Sequence, residues 1–270
     1  MVKTKGRNLT QDKGNLQEIF ASVQGEGILV GVSMIFVRLS GCARRCRYCD
    51  SDFTWTVAKE AVVHQVGNGG RVGETVVANP VTAKWVMDTV SCIARSEGDL
   101  EWVTITGGEP LLQPGFVQNL AKRMKDNGFR TILETEGDQP EALADVIEFI
   151  DVVAADIKLP STTGESLDWD IAGKFLELAA RRRVSDIEFT PFFVKVVVTP
   201  EIEHYEFNRA VDLVASLDSD IPFIVQPVTP ALHVPAAPAP SILWNLAKRA
   251  RSKLNDVRVV PQVHTQLGLL

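Results

Sequence analysis

Three of the four cysteines in this 270-residue chain lie within eight residues, at Cys42, Cys46 and Cys49. Thiolates clustered this closely are typical ligands of one metal centre. An iron–sulfur cubane normally takes four cysteines, one for each iron, so a set of three leaves one iron with an open position. As in catalytic zinc sites, an open position indicates reactivity rather than a structural role. The spacing C-x3-C-x2-C therefore predicts a [4Fe–4S] cluster that can accept a further ligand.

Zinc and a closed redox cluster are the alternatives, because clustered cysteines in intracellular proteins often bind zinc. Either would need a fourth ligand, and Cys92 is the only other cysteine. Cys92 lies in a segment with the pattern of an amphipathic helix, where a free cysteine usually behaves as a small buried hydrophobic residue. The nearest histidine in sequence, His64, falls outside the cysteine loop. The number of ligands thus favours the open cluster.

The length suits one barrel-sized domain over residues 1–270, with the polar residues 1–15 expected to be flexible. A net charge of −6 argues against a broad nucleic-acid surface and favours a small-molecule substrate. We expect no secretory signal, because no apolar run follows the basic residues at the start, and no segment approaches the roughly 18 apolar residues of a membrane span. Because cluster thiolates must stay reduced, we expect a cytoplasmic location.

Apolar segments alternate with helical patterns along most of the chain. Val/Ile-rich strands that alternate with helices are typical of a parallel sheet covered by helices. We therefore predict an α/β fold, a partial (β/α)6 barrel with a mostly parallel sheet, whose functional residues lie where strands end. The predicted strands are Met34–Leu39, Trp102–Thr106, Thr131–Thr135, Val152–Asp156, Phe192–Val198, Phe223–Gln226 and Val257–Val260. The predicted helices are Thr82–Ser96, Phe116–Asn127, Glu141–Phe149, Leu167–Arg182, Tyr205–Leu217 and Ser241–Leu254.

Residues 57–80 lack a clear period and contain Gly67–Gly70. This composition predicts a long loop, which we expect to lie over or beside the site.

An arginine, Arg38, interrupts the buried strand M-I-F-V-R-L. Burying an unpaired charge costs several kcal/mol, so Arg38 requires an anionic partner. A structural salt bridge and a bound anionic substrate are both possible partners. We favour the substrate, because the cysteine loop follows at once.

Glycines and polar residues follow several of the predicted strands. In Gly107-Gly-Glu-Pro110 the glycines allow a ligand to approach the backbone, and Glu109 offers a carboxylate to a cation. The segment 22–27, S-V-Q-G-E-G, predicts a tight turn. Polar residues also follow the strands before 134–137, 156–160 and 226–229. Each set alone is equally well explained by solvation or helix capping, but together they predict a shared ligand site.

The cysteine spacing, with Tyr48 before the last cysteine, and the G-G-E-P segment resemble the radical S-adenosylmethionine (SAM) superfamily. Over nearly its full length the chain is similar to the 7-carboxy-7-deazaguanine synthase family. The segments that carry this resemblance are E-I-F with S-V-Q-G-E-G (18–27), F-V-R-L-S-G-C (36–42), C-D-S-D-F-T-W (49–55), T-G-G-E-P-L-L-Q (106–113), L-E-T-E-G (133–137), D-I-K-L-P-S (156–161), V-K-V-V-V (194–198), Q-P-V (226–228) and R-V-V-P-Q-V-H-T-Q-L-G-L-L (258–270).

The resemblance implies an activity and its cofactors. Members of the family convert 6-carboxy-5,6,7,8-tetrahydropterin to 7-carboxy-7-deazaguanine with loss of ammonia, in the queuosine and deazapurine pathway. A 5′-deoxyadenosyl radical takes hydrogen from C6 of the substrate, and the ring then contracts. The implied cofactors are a [4Fe–4S] cluster, SAM and Mg2+. The implied partners are a second copy of the chain and an external one-electron donor of the flavodoxin or ferredoxin type.

The resemblance also implies residue roles. The cluster ligands are Cys42, Cys46 and Cys49, and the residues with a catalytic role are Arg38, Glu26 and His264. The SAM pocket comprises Tyr48, Cys49, Asp50, Gly107, Gly108, Glu109, Asp156, Ile157, Lys158, Gln226, Pro227, Val228 and Thr229. The substrate pocket comprises Ser22, Val23, Gln24, Glu26, Arg38, Thr106, His264 and the terminal carboxylate of Leu270. The alternative for His264 is a surface histidine near the end of the chain.

Two positions depart from the family pattern. Ser51, the implied Mg2+ ligand, keeps the hydroxyl of the usual threonine but lacks the methyl group that restricts its rotamer. Glu136 replaces the usual asparagine, so it either adds a charge near SAM or faces solvent.

The substrate's chemistry agrees with these roles. A pterin presents N–H donors that suit carboxylates such as Glu26. Its carboxylate needs a cation, and Arg38 at about 4 Å would contribute on the order of 4 kcal/mol at an effective dielectric constant of about 20. The rival classes are a glycyl-radical activating enzyme, which must accommodate a partner protein, and a metal-binding or electron-transfer module that uses Cys92.

Overall fold

A computed structural model of the chain describes residues 11–66, 72–181, 191–230 and 233–269. The strands are β1 (Lys13–Gly14), β2 (Leu16–Val23), β3 (Ser33–Leu39), β4 (Glu60–Val66), β5 (Val72–Ala78), β6 (Val81–Thr82), β7 (Trp102–Gly107), β8 (Arg130–Thr135), β9 (Val152–Asp156), β10 (Phe192–Val198), β11 (Phe223–Pro227) and β12 (Val257–Val259). The helices are α1 (Ala83–Ser96), α2 (Pro114–Asp126), α3 (Pro140–Val146), α4 (Pro160–Thr163), α5 (Trp169–Ala180), α6 (His204–Leu217), α7 (Pro240–Ala250) and α8 (Val263–Leu267).

Ten of the strands form one sheet in the order β12-β11-β10-β9-β8-β7-β3-β2-β4-β5. All pairs from β12 to β3 are parallel. Beyond β3, the strand β2 is antiparallel to β3, β4 is parallel to β2, and β5 is antiparallel to β4. This arrangement confirms the predicted α/β class with a mostly parallel sheet.

The two faces of the sheet bury different side chains, as the alternation along each strand requires. On β3, Ile35 and Val37 belong to the large core that the helices cover. Their neighbours Met34 and Phe36 belong to a smaller apolar cluster on the opposite face. The strand β3 is therefore buried on both faces, which explains why it is almost continuously apolar.

Helix α1 illustrates how local sequence fixes the elements. The Thr82 hydroxyl accepts a hydrogen bond from the Trp85 amide at 3.1 Å and so caps the helix start. Val86 and Val90 are buried against the sheet. Cys92 lies on the exposed face. The expectation that Cys92 is buried is therefore wrong, because the apolar stripe of the helix passes on the other side.

The predicted long loop at residues 57–80 is also wrong. Most of it forms the β4–β5 hairpin, whose strand β4 pairs with β2 and extends the sheet. On β4 the buried Ala61 and Val63 alternate with less buried residues, which is the pattern of a strand with one covered face. Gly67–Gly70 lie outside the described residues.

The first segment of the chain was expected to be flexible, but residues 11–15 take part in the fold. Lys13 and Gly14 pair with β6. The Asn15 amide donates to the Gln113 side chain at 2.7 Å. Residues 1–10 lie outside the described ranges. Among the described helices, none combines the length and the apolar character that crossing a membrane requires.

Candidate functional site

A cavity of about 390 Å3 opens at the carboxyl end of the parallel strands. Its wall includes Thr106 at the end of β7, Asp156 at the end of β9 and Gln226 at the end of β11. The cysteine loop and α8 complete the wall, through residues such as Cys46 and His264. Polar groups from separate strand ends thus meet in one place, where α/β sheets bind their ligands.

The three clustered cysteines all line this cavity. Backbone hydrogen bonds shape their loop, from the Gly41 amide to the Thr54 carbonyl at 2.7 Å and from the Cys49 amide to the Cys46 carbonyl at 3.0 Å. Burial raises the pKa of the Cys42 thiol to about 12, and it also raises the pKa values of Cys46 and Cys49. Binding a metal to these thiols must therefore release protons.

No three histidine, cysteine, aspartate or glutamate side chains within the described ranges are arranged to hold one metal ion. In a cubane each thiolate binds its own iron. The donor set therefore fits a cluster with three protein ligands.

The G-G-E-P turn packs directly against the cysteine loop. The Gly108 amide donates to the Leu39 carbonyl at 3.1 Å, and the Glu109 amide donates to the Gly41 carbonyl at 2.9 Å. A Cβ atom at Gly108 would lie 2.3 Å from the Gly41 oxygen. The second glycine is thus needed because two backbones meet there.

The Glu109 carboxylate is not among the groups that line the cavity, and its contact with a ligand's cation stays a prediction. It is buried and accepts hydrogen bonds at 2.8 Å from the Leu111 amide, the Glu136 amide and the Thr135 hydroxyl. Burial, despite these hydrogen bonds, raises the pKa of Glu109 to about 7. Glu109 therefore connects the G-G-E-P turn to the end of β8 through its hydrogen bonds.

Arg44 belongs to the cysteine loop and anchors it to three carboxylates. Its guanidinium is buried and lies 3.2 Å from Glu136, 2.9 Å from Asp138 and 3.7 Å from Glu165. Glu136 lines the cavity, and its carboxylate is 4.0 Å from the Cys42 sulfur. Burial, reinforced by Glu109 and Asp138, raises the pKa of Glu136 to about 8. Of the two expectations for Glu136, exposure to solvent is wrong.

The opposite part of the cavity contains a buried group of charges around Lys195. The Lys195 ammonium contacts the Glu26 carboxylate and lies 3.4 Å from Asp156. Gln262 donates to Glu26 at 2.8 Å and to Asp50 at 2.6 Å. Burial acts to raise the pKa of Glu26, but the Lys195 charge and the hydrogen bonds from Lys195 and Gln262 lower it to about 2. Glu26 is thus ionised at neutral pH.

Lys195 was not among the predicted site residues. The segment V-K-V-V-V nevertheless indicates its role, because a lysine within a buried strand requires anionic partners just as Arg38 does.

A second carboxylate, Glu134, faces the cavity from β8. It accepts hydrogen bonds from the Gln24 amide group and the Thr106 hydroxyl, both at 2.8 Å. Burial raises the pKa of Glu134. Glu134 was named only as part of a strand-end motif. Its contacts with Gln24 and Thr106, two predicted substrate residues, associate it with the predicted substrate pocket.

Arg38 lines the cavity and also has a partner in the protein. Its Nε donates to Glu18 at 2.8 Å. The salt bridge that the sequence left as one alternative therefore exists. Its presence does not exclude a bound anion, since the guanidinium still faces the cavity.

The remaining predicted residues divide into two sets. Ser51 lines the cavity and donates to Asp50 at 2.7 Å. Leu270 lies outside the described residues. Besides those already described, Val23, Tyr48, Gly107, Lys158 and Val228 line the cavity. The predicted residues that do not line it are Ser22, Glu109, Ile157, Pro227 and Thr229.

Three cavity residues carry buried oxygens that accept no hydrogen bond from the described residues: the Tyr48 hydroxyl, Gln226 Oε1 and Asp156 Oδ1, the last of which lies 3.4 Å from the Lys195 ammonium. A buried polar atom without a partner is costly, so such atoms indicate a ligand that supplies one. The ammonium, hydroxyl and amino groups of SAM are donors of the required kind. These atoms therefore fit SAM.

Comparison with known proteins places the chain in a family. A family model described as a 4Fe-4S single cluster domain matches residues 23–170. The 7-carboxy-7-deazaguanine synthase of Geobacter sulfurreducens is 35% identical, covering 97% of this chain and 100% of that one. The enzyme of the same name from Methanopyrus kandleri is 36% identical, covering 97% and 96%.

Solved structures share the fold. QueE from Escherichia coli superposes with a TM-score of 0.54 at 19% identity, covering 92% of this chain and 93% of that chain. A structure of TYW1 with a lysine-pyruvate adduct gives a TM-score of 0.51 at 16% identity, covering 83% and 76%. At these identities the likeness concerns the fold alone.

Proposed function

The chain belongs to the 7-carboxy-7-deazaguanine synthase family of radical SAM enzymes, and from this premise we propose that it converts 6-carboxy-5,6,7,8-tetrahydropterin to 7-carboxy-7-deazaguanine with loss of ammonia. The observation that carries this proposal is one cavity that joins three cysteines to an ionised carboxylate and an arginine. These are the groups that a cluster and an anionic pterin require.

The cofactor half of the cavity is formed by the cysteine loop and the ends of β9 and β11. Cys42, Cys46 and Cys49 hold the [4Fe–4S] cluster, and SAM binds beside it. When bound, the cluster and SAM supply radical hydrogen abstraction. Asp156 and Gln226 orient SAM through buried oxygens that accept no hydrogen bond from the described residues.

The substrate half is formed by β2, β3, β8 and β10. Glu26 is held ionised by Lys195 and accepts the N–H donors of the pterin's amino-pyrimidinone edge. Arg38 binds the 6-carboxylate. Glu134 fixes Gln24 and Thr106, which present further polar groups to the ring. Holding the substrate in one orientation supplies much of what a protein contributes to such a reaction.

Other parts of this proposal concern ions and partners. The Ser51 hydroxyl would hold Mg2+, a hard cation that prefers oxygen ligands. The enzyme acts as a homodimer in the cytoplasm and receives electrons from a flavodoxin or ferredoxin. Cluster thiolates must stay reduced, and this requirement supports that compartment.

Anaerobic reconstitution with iron and sulfide, followed by incubation with SAM, a reductant and the tetrahydropterin, tests the activity. We expect 7-carboxy-7-deazaguanine by mass spectrometry. Arg38→Ala should abolish most turnover without loss of cluster iron. A protein that purifies with zinc, or a SAM-responsive cluster that forms no product, would contradict the proposal.

A further inference from the structure

His64, on the β4–β5 hairpin, contacts Glu18, which lines the cavity. We propose that His64 and Glu18 position Arg38 to bind the substrate's carboxylate, an inference that rests on the proposed function. His64 and Glu18 are thus positioning residues that act through Arg38.

The contacts form a chain across three neighbouring strands. Glu18 lies on β2, in register with Arg38 on β3 and with Val62 on β4. One Glu18 oxygen accepts from Arg38 Nε at 2.8 Å, and the other lies 3.0 Å from His64 Nε2. Each oxygen of this carboxylate therefore has its own partner, so Glu18 is held from both sides.

The hairpin holds His64 in turn. His64 Nδ1 lies 3.5 Å from Glu74, its cross-strand partner on β5, and the edge of its ring packs on Phe20 at a centroid distance of 6.3 Å. The side chains of Arg38, Glu18 and His64 are only 19%, 16% and 15% exposed. Buried contacts of this kind fix an orientation that solvent would otherwise average.

The orientation of the Arg38 guanidinium matters because Glu18 accepts a hydrogen bond from only one of its nitrogens. Glu18 occupies Nε of Arg38, and Nη1 and Nη2 donate no hydrogen bond to any residue of the described ranges. These two nitrogens form one of the guanidinium edges that can bind a carboxylate in a bidentate manner. Phe20 lies against the guanidinium, 5.5 Å from ring centroid to Cζ, and limits its rotation. The geometry therefore leaves the carboxylate-binding edge of Arg38 for the substrate.

Equilibrium binding of two unreactive pterins to the reconstituted protein tests the inference. The probes are 6-carboxypterin and pterin, which differ only in the carboxylate. We expect His64→Ala to weaken binding of 6-carboxypterin about tenfold, as for the loss of one hydrogen bond to a charged group, and to leave pterin binding unchanged. His64→Gln, which can place an amide N–H near Glu18, should recover most of the affinity.

Two further variants complete the experiment. Val76→Ala changes an exposed residue of the same hairpin and should alter neither affinity. Glu18→Gln retains the shape of the side chain but loses its charge, and it should weaken 6-carboxypterin selectively even if His64→Ala does not fold. If His64→Ala and Glu18→Gln weaken both pterins equally, or neither, the positioning role is wrong. If the unmodified protein binds neither pterin, the proposed function itself fails.

Discussion

The two halves of the cavity differ in how far the protein completes them. In the substrate half, Glu26, Glu18 and Glu134 each have hydrogen-bond donors or cations from the chain. In the cofactor half, Tyr48 and Gln226 carry buried oxygens that no described residue satisfies. The carboxylates of the substrate half are thus already paired within the protein. The buried oxygens of the cofactor half require hydrogen-bond donors from a ligand.

This difference indicates what each half has to do. A substrate whose charges must be met at fixed points benefits from donors and acceptors that need no reorganisation. A cofactor assembled on thiols must first displace their protons, and burial raises the pKa of Cys42 to about 12. We therefore expect the two halves to respond separately to substitution.

The largest expected effect is the loss of a cysteine ligand. Cys46→Ala should remove the cluster and all turnover, because an iron of the cubane loses its thiolate. The same variant should still bind 6-carboxypterin, since the charged half is untouched. Iron and sulfide counts, with the visible absorption spectrum, measure the first effect.

Cys92→Ala is the matched control, because Cys92 is exposed on α1. If Cys92→Ala lost the cluster, the assignment of three ligands would be wrong. If Cys46→Ala lost pterin binding as well, the two halves would not be independent.

Lys195→Met should lower the free energy of unfolding by about 3–5 kcal/mol, because removing one partner leaves buried charges uncompensated. Glu26 would then lose its cation, whereas Asp156 would keep Lys158 at 2.6 Å. Urea denaturation of the protein before cluster loading measures the change. Lys84→Met removes an exposed ion pair with Asp88 and should cost less than about 0.5 kcal/mol. Equal effects of the two variants would show that the charged half is not built on Lys195.

Gly108→Ala should lower the free energy of unfolding by about 1–3 kcal/mol through overpacking and should reduce iron incorporation. The added methyl would meet the Gly41 carbonyl and displace the cysteine loop. Gly173→Ala, on α5, adds a methyl at an ordinary 3.5 Å from Leu213 and should be neutral or stabilising. Full iron incorporation by Gly108→Ala would mean that the loop tolerates displacement.

The smallest effect concerns acid stability. Interactions in the fold lower the pKa of Glu26 from about 4.5 to about 2, so its contribution to stability is fully present above pH 4.5 and is lost as the pH falls toward 2. Between pH 5 and pH 3, unmodified protein should lose about 1–2 kcal/mol more stability than Glu26→Gln. Urea titrations at both pH values measure the difference. An identical loss in both proteins would contradict the ionised Glu26–Lys195 pair.

The central strands could be predicted because their sequences are unambiguous. Val152–Asp156 and Phe192–Val198 begin and end as expected, since strands buried on both faces read as continuous apolar runs. The strand β2 and the β4–β5 hairpin escaped prediction. Both mix polar and apolar residues, and the glycines at 67–70 suggested a loop.

Strand-end positions also predicted much of the cavity wall, including Thr106, Asp156 and Gln226. The direction of the Glu109 side chain was not predictable, because it depends on amide groups brought near by the fold. Nor was the contact between Glu26 and Lys195, which are 169 residues apart in sequence. A sequence pattern identifies a charge in a strand but not the distant residue that neutralises it.

The docking of the C-terminal segment bears on when the site can form during biosynthesis. The Val263 amide donates to the Gly25 carbonyl at 3.0 Å, and a Cβ atom at Gly25 would collide with His264. Residues made early in translation thus acquire their neighbours only after the ribosome has produced residue 264. A nascent chain that stops short of residue 264 accordingly lacks this part of the cavity wall.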